Sequence, residues 1–306
     1  MILCSLLFIP FTLKAQVSYT TDTTCYVTVT YNGNSAAVVI SSDIRNYVTA
    51  SVSGGHVSIT STATSALNEI TYGLKGSTTN GSFTLVGTYK ASIDLFGVSI
   101  TNPSGPAIDI QNGKRIELSV KKETVSTLKD GTSTAQDAWK GALQCKGHFQ
   151  FKGKGTLNVY GNYAHGIWSK EYMEVKNCSI NVCSAVKDAI NCNRYFLMES
   201  GVINLGGFGD DGIQVSLKSE DTSTENTGNF TMDGGVININ MTDAAGEPVK
   251  AEGATIVAPS ALLNVSTALD NVEGDDMKTR KVIRNGQILI ERGDKTYNLL
   301  GSEVEE

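Results

Sequence analysis

Leu157-Asn158-Val159, Ile180-Asn181-Val182 and Ile203-Asn204-Leu205 follow one another at a constant step of 23 residues. Gly166-Ile167, Ala189-Ile190 and Gly212-Ile213 keep the same step, and Ile237-Asn238-Ile239 and Leu263-Asn264-Val265 continue the first column after longer intervals. A repeat this short cannot enclose a hydrophobic core alone, so each copy must stack on its neighbours. Within a copy the apolar residues alternate, as in Ile203 and Leu205 or Ile213 and Val215, which is strand periodicity. Short strands, glycine-rich turns and this step predict an all-β chain built as a right-handed parallel β-helix. Such a solenoid exposes long, flat faces suited to an extended polymer.

Working outward, the reading divides the 306 residues into four segments. Residues 81–272 form the β-helix. Residues 16–80, with runs such as Tyr26-Val27-Thr28-Val29-Thr30 and a turn at Asn32-Gly33, form a β-rich N-terminal segment. Residues 273–306 form a small C-terminal β-meander with turns at Asn285-Gly286 and Gly293-Asp294. Residues 1–15 read as a signal peptide. Their apolar run from Ile2 to Leu13 is too short to span a bilayer, and it ends in Leu13-Lys14-Ala15, which suits cleavage. The protein is therefore expected to be secreted or held at the outer cell surface, with no transmembrane segment.

Only 5 prolines among 31 glycines fits continuous sheets, because proline removes a ladder donor. A net charge of −6 and the lack of a basic stripe with interleaved aromatics argue against nucleic acid as a partner. Beyond the signal, Cys25, Cys145, Cys178, Cys183 and Cys192 are odd in number. Cys145 and Cys192 share an inward column two layers apart, about 10 Å at the usual strand spacing, which is too far for a disulfide. Buried free thiols are the expectation. Two polar stretches, Thr124 to Ala138 and Lys218 to Asn229, read as loops projecting from the stack.

His165, Asp188 and Asp211 precede the paired residues of the second column, one per layer. Stacking brings Asp188 and Asp211 to about 4.8 Å, where like charges repel unless one is protonated or a cation bridges them. Asp210 adds an acid in the same turn and Glu247 one in the next layer. Calcium favours such carboxylate and carbonyl clusters, although aspartates in Gly-Asp-Asp-Gly also make turns onto their own backbone. The outward asparagines Asn158, Asn181, Asn204, Asn238 and Asn264 suit an amide ladder first, and hydrogen bonds to glycan hydroxyls second.

Alternation places Trp168 outside, beside Lys170, which suits stacking on a sugar ring with a carboxylate partner nearby. Tyr163, Trp139, Lys187 and Arg194 complete the candidate carbohydrate-binding set, with packing beneath a loop as the alternative for the aromatics. No nucleophile motif, metal-hydrolase His pair or phosphate-binding glycine loop is present, so no catalytic residue is assigned.

The stretches Gly161-Asn162-Tyr163-Ala164-His165-Gly166-Ile167, Ala185-Val186-Lys187-Asp188-Ala189-Ile190-Asn191 and Gly209-Asp210-Asp211-Gly212-Ile213-Gln214 carry a resemblance. With Ser104-Gly105-Pro106-Ala107-Ile108-Asp109-Ile110 and Gly153-Lys154-Gly155-Thr156-Leu157-Asn158-Val159, the chain resembles the bacterial calcium-dependent, carbohydrate-binding parallel β-helix proteins with a pectate-lyase-like fold. The resemblance implies a monomeric, non-catalytic binder of plant-type or acidic polysaccharide, with Ca2+ held by Asp188, Asp210 and Asp211. A calcium-dependent pectate-type lyase and a structural adhesin or spacer are the alternatives. The tail resembles C-terminal sorting segments of exported Bacteroidetes proteins, and a cap over the last layer serves equally well.

Overall fold

The computed structural model describes residues 16–136, 138–241, 244–267, 279–284, 287–292, 295–298 and 304. The predicted signal peptide and both tail turns lie outside the described residues. No described helix is long and apolar enough to cross a membrane.

Both sequence columns are real neighbours in space. Leu157 sits opposite Ile180, Ile180 opposite Ile203, Ile203 opposite Ile237 and Ile237 opposite Leu263, all in parallel ladders. Ile167, Ile190 and Ile213 form a second such file in another sheet. The first four residues of the first file and all three of the second are fully buried. The alternation is therefore a consequence of parallel pairing in register: every inward residue meets an inward residue of the next layer. Larger side chains obey the same rule, and Phe196 stacks on Phe230 at 5.2 Å and 8°.

The expected right-handed parallel β-helix is corrected by the strand pairing. The strands assemble as one sheet of seventeen, curled nearly into a barrel, and a second sheet of nine. A three-stranded antiparallel sheet, Thr279–Arg284, Gln287–Arg292 and Lys295–Asn298, follows at the C-terminus. The cause of the large sheet is one long strand. Ala91–Thr101 pairs through Ala91 to Leu95 with Ile116–Val120, and through Ser99 to Thr101 with Thr127 to Lys129. One strand thus feeds two ladders that shorter strands would have kept apart. Tyr26–Asn32 pairs with Ile70–Thr78 and Gly55–Ser61 with Gly81–Gly87, so both sheets begin there. The expected hairpin near Asn32-Gly33 is present, joining Tyr26–Asn32 to Ser35–Ser41 with Gly33 at φ 60°.

A second correction concerns the polar stretch from Thr124. Val125–Lys129 is a strand, paired with Thr156–Tyr160. Ser126 and Leu128 fill its two inward positions. A buried serine there breaks the apolar alternation that would have betrayed the strand. Cys145, Cys178 and Cys192 are buried free thiols, with Ser169 lying in register between Cys145 and Cys192.

Ile203 is flanked in its file by Ile180 and Ile237, so Ile203→Ala opens a cavity that the rigid ladder cannot close. The expected loss is about 2–5 kcal/mol in urea denaturation; a cost near zero would contradict the continuous file.

Candidate functional site

The outward row of the nine-stranded sheet runs Asp109, Gln144, Trp168, Asn191, Gln214 and Lys250, each opposite the next. Trp168 is half-buried between inward Ile167 and Ser169, so its indole stands on the outer face. Amides surround it. Gln144 Nε2 donates to Asp109 Oδ1 at 2.8 Å, and Asn191 Nδ2 donates to Gln214 Oε1 at 2.9 Å. Lys170, two residues along the same strand side, is exposed.

The acidic turns border this row. One carboxylate oxygen each from Asp188, Asp210 and Asp211 fall within 4.8 Å of one another; Asp188 and Asp211 are buried and Asp210 is exposed. Asp188 Oδ2 accepts from Asn191 Nδ2 at 2.8 Å, which ties the acids to the outward row. His165 Nδ1 lies 3.2 Å from the same oxygen, at ion-pair distance but off the hydrogen-bond line. Asp188 Oδ1 accepts the Asp211 N–H at 3.2 Å. Burial pushes the Asp188 carboxyl up, but the contacts from His165, Asn191 and the Asp211 N–H outweigh it and hold the group below its ordinary value. Asp211 accepts the Glu247 N–H at 2.8 Å and Lys250 Nζ at 3.0 Å. That hydrogen bond and the carboxylate charge raise the Lys250 ammonium above its ordinary value. Glu247 thus contributes its backbone, and its carboxylate is not part of the converging trio.

Three carboxylates face one lysine and one histidine, so the trio carries more negative charge than its neighbours balance. Hard oxygen donors at this separation suit a divalent cation of the calcium type. Lys250 is half exposed, whereas the Asp211 carboxylate it pairs with is buried.

Three other sequence candidates are placed differently. Trp139 is buried; its Nε1 donates to Asp130 Oδ2 at 2.8 Å and its ring packs tilted against Tyr163 at 4.2 Å and 38°. The Tyr163 hydroxyl donates to the Ala135 carbonyl and accepts the Ala138 N–H. Both aromatics therefore pin the loop after Asp130, with Trp139 buried and Tyr163 half-buried. Arg194 is held at 2.6 Å by Glu171, 2.6 Å by Asp221 and 3.3 Å by Glu225, with a side chain only 14% exposed. It anchors the Lys218 to Asn229 loop. Lys187 is exposed on the turn leading into Asp188.

The sequence model of the carbohydrate-binding domain-containing family matches residues 53–303. This chain belongs to that family. The matched span includes the Trp168 row and the acidic turns, and leaves out the first three strands of the larger sheet. A polysaccharide lyase-like protein from C. thermocellum, solved as a gadolinium derivative, shares the fold at a TM-score of 0.61 and 20% identity, covering 78% of this chain and 99% of that one. No curated protein matches.

Sequence reading missed Gln144, Asn191, Gln214 and Lys250. The signal was available, because Trp168, Asn191 and Gln214 repeat at the same 23-residue step as the apolar columns. Two outcomes follow from the loop anchors. Burial pushes the Asp130 carboxyl up to about 6, against hydrogen bonds from the Asn162 N–H and the Trp139 indole. A raised carboxylate pKa means this group destabilises the fold as pH climbs from about 4 to about 6, with no further change above. Trp139 emission in a Trp168→Phe background should therefore titrate near pH 6; a midpoint near 4 would contradict the burial argument. Arg194→Ala removes the cation shared by Glu171, Asp221 and Glu225 and leaves Glu171 only its Lys218 contact at 2.6 Å, so it should lower the melting temperature and open the Lys218 to Asn229 loop to limited proteolysis. An unchanged digestion pattern would show that the loop is held by something else.

Proposed function

We propose that this carbohydrate-binding protein is secreted or surface-attached and binds acidic, plant-type polysaccharide with the help of calcium, without cleaving it. The observation that carries the reading is the adjacency of the Asp188, Asp210 and Asp211 trio to the Trp168 row, joined through Asn191. A calcium ion on the trio would neutralise its excess charge and keep coordination positions for carboxylates of an acidic glycan. Trp168 would stack on a sugar ring, and the neighbouring amides and Lys170 would receive hydroxyl and carboxylate groups. Export is supported by the apolar run at residues 2–13. A lyase would need a base beside the metal, drawn from Lys170, Lys187 or Arg194; Arg194 is locked into three ion pairs on its loop, and the two lysines are exposed.

Calorimetric titration of calcium tests the metal, with Asp188→Ala plus Asp211→Ala as the comparison. Binding by the parent that the double variant loses is expected; no heat from either protein would make the turns architectural. Trp168→Ala should weaken polygalacturonate binding in calcium by about three- to tenfold, from an aromatic contact worth ~0.5–1.5 kcal/mol. Unchanged affinity would move the polymer off this face.

A further inference from the structure

The other large sheet carries a second polar feature, away from the acidic turns. Asn181 Nδ2 donates to Asn158 Oδ1 at 2.8 Å, Asn204 to Asn181 at 2.8 Å, Asn238 to Asn204 at 2.7 Å and Asn264 to Asn238 at 2.8 Å. All five amides stand opposite one another in register and point the same way along the stack. Beside them runs a shallow groove of about 530 Å³. Its far side is made by Cys183, Gly206, Asn240 and Ser266, the next outward residues of the same strands. Between these two rows it is lined by Val182, Leu205, Ile239 and Val265. Among the described residues, none that lines it is charged.

An amide has two N–H donors and two acceptor lone pairs. Each interior ladder amide uses one N–H and one lone pair on its neighbours, and the other of each is directed away from the stack. The groove therefore presents alternating donors and acceptors at the strand spacing of about 4.8 Å. A hydroxyl is both donor and acceptor, so a hydroxyl-bearing polymer can satisfy the whole line. The ladder also removes a cost that exposed asparagines normally impose. Their rotamers are already fixed, so ligand binding need not freeze them. Gly206 keeps the trough open: a Cβ there would meet nothing nearer than Asn240 Cβ at 4.0 Å.

We propose that this groove binds an uncharged polysaccharide strand, laid along the amide ladder and across the β-strands. The lack of charge selects against the acidic glycan assigned to the Trp168 face, so the protein has two sites of different chemistry. The inference rests on the carbohydrate-binding reading but uses separate residues.

The test uses the full chain and three neutral probes, galactomannan, xyloglucan and mixed-linkage β-glucan, in affinity electrophoresis without calcium. Among the described cysteines Cys183 alone is exposed, with Cys25 half-buried, so the maleimide labelling rate of Cys183 footprints the groove. Retention by at least one probe, slowed about tenfold or more by an aromatic plug at Gly206→Tyr, together with protection of Cys183, is the expected result. Ser266→Tyr plugs the other end, and replaces the first variant if that one does not melt like the parent. Retention by none of the probes, retention that survives a folded plugged variant, or retention without Cys183 protection would each overturn the proposal. Polygalacturonate binding with calcium, measured alongside on the parent, decides the acidic-face reading alone, so the two readings fail independently.

Discussion

Parallel pairing in register is the constraint from which the rest follows. Each layer of this protein finds its backbone partners only in the layers before and after it, so no layer is stable alone. Because neighbouring layers lie about 4.8 Å apart, a side chain's main contact is the residue at the same position one layer on. Like therefore collects with like. Aliphatic files fill the interior, Phe196 meets Phe230, Tyr172 stacks on Tyr195 at 4.6 Å and 15°, and asparagines link amide to amide. The same rule concentrates Asp188 and Asp211, for which proximity is costly unless an opposite charge intervenes. At the candidate metal centre, stacking thus works against itself.

Around this body, the excursions are fastened by buried polar groups. Asp130 and Trp139 close one loop, and Arg194 with Glu171 and Asp221 closes the other. Both anchors take strongly interacting side chains out of solvent, which is why residues that look like ligand contacts in the sequence act as fasteners. What is left exposed is a row of amides with one indole on the nine-stranded sheet, and an uncharged trough on the other.

Much of the lateral order was legible in the chain itself, since the 23-residue columns name their own neighbours. The acidic trio was legible for the same reason. The overall closure was not. It depends on the length of Ala91–Thr101, and nothing in an alternating run says that its two halves serve different ladders. Val125–Lys129 was hidden by buried Ser126, whose hydroxyl mimics a loop residue. The fates of Trp139, Tyr163 and Arg194 were hidden for another reason. Alternation tells inside from outside a sheet, but it cannot tell an outside that faces water from one that a loop covers.

The amide stack has a further property. Each asparagine turns its nitrogen towards the Asn158 end and its oxygen towards the Asn264 end, so the side-chain dipoles add head to tail, as peptide dipoles do along a helix. The line has a positive and a negative pole. A polar chain lying on it meets a different field in each of its two orientations, and the surface distinguishes the forward direction of such a chain from the reverse.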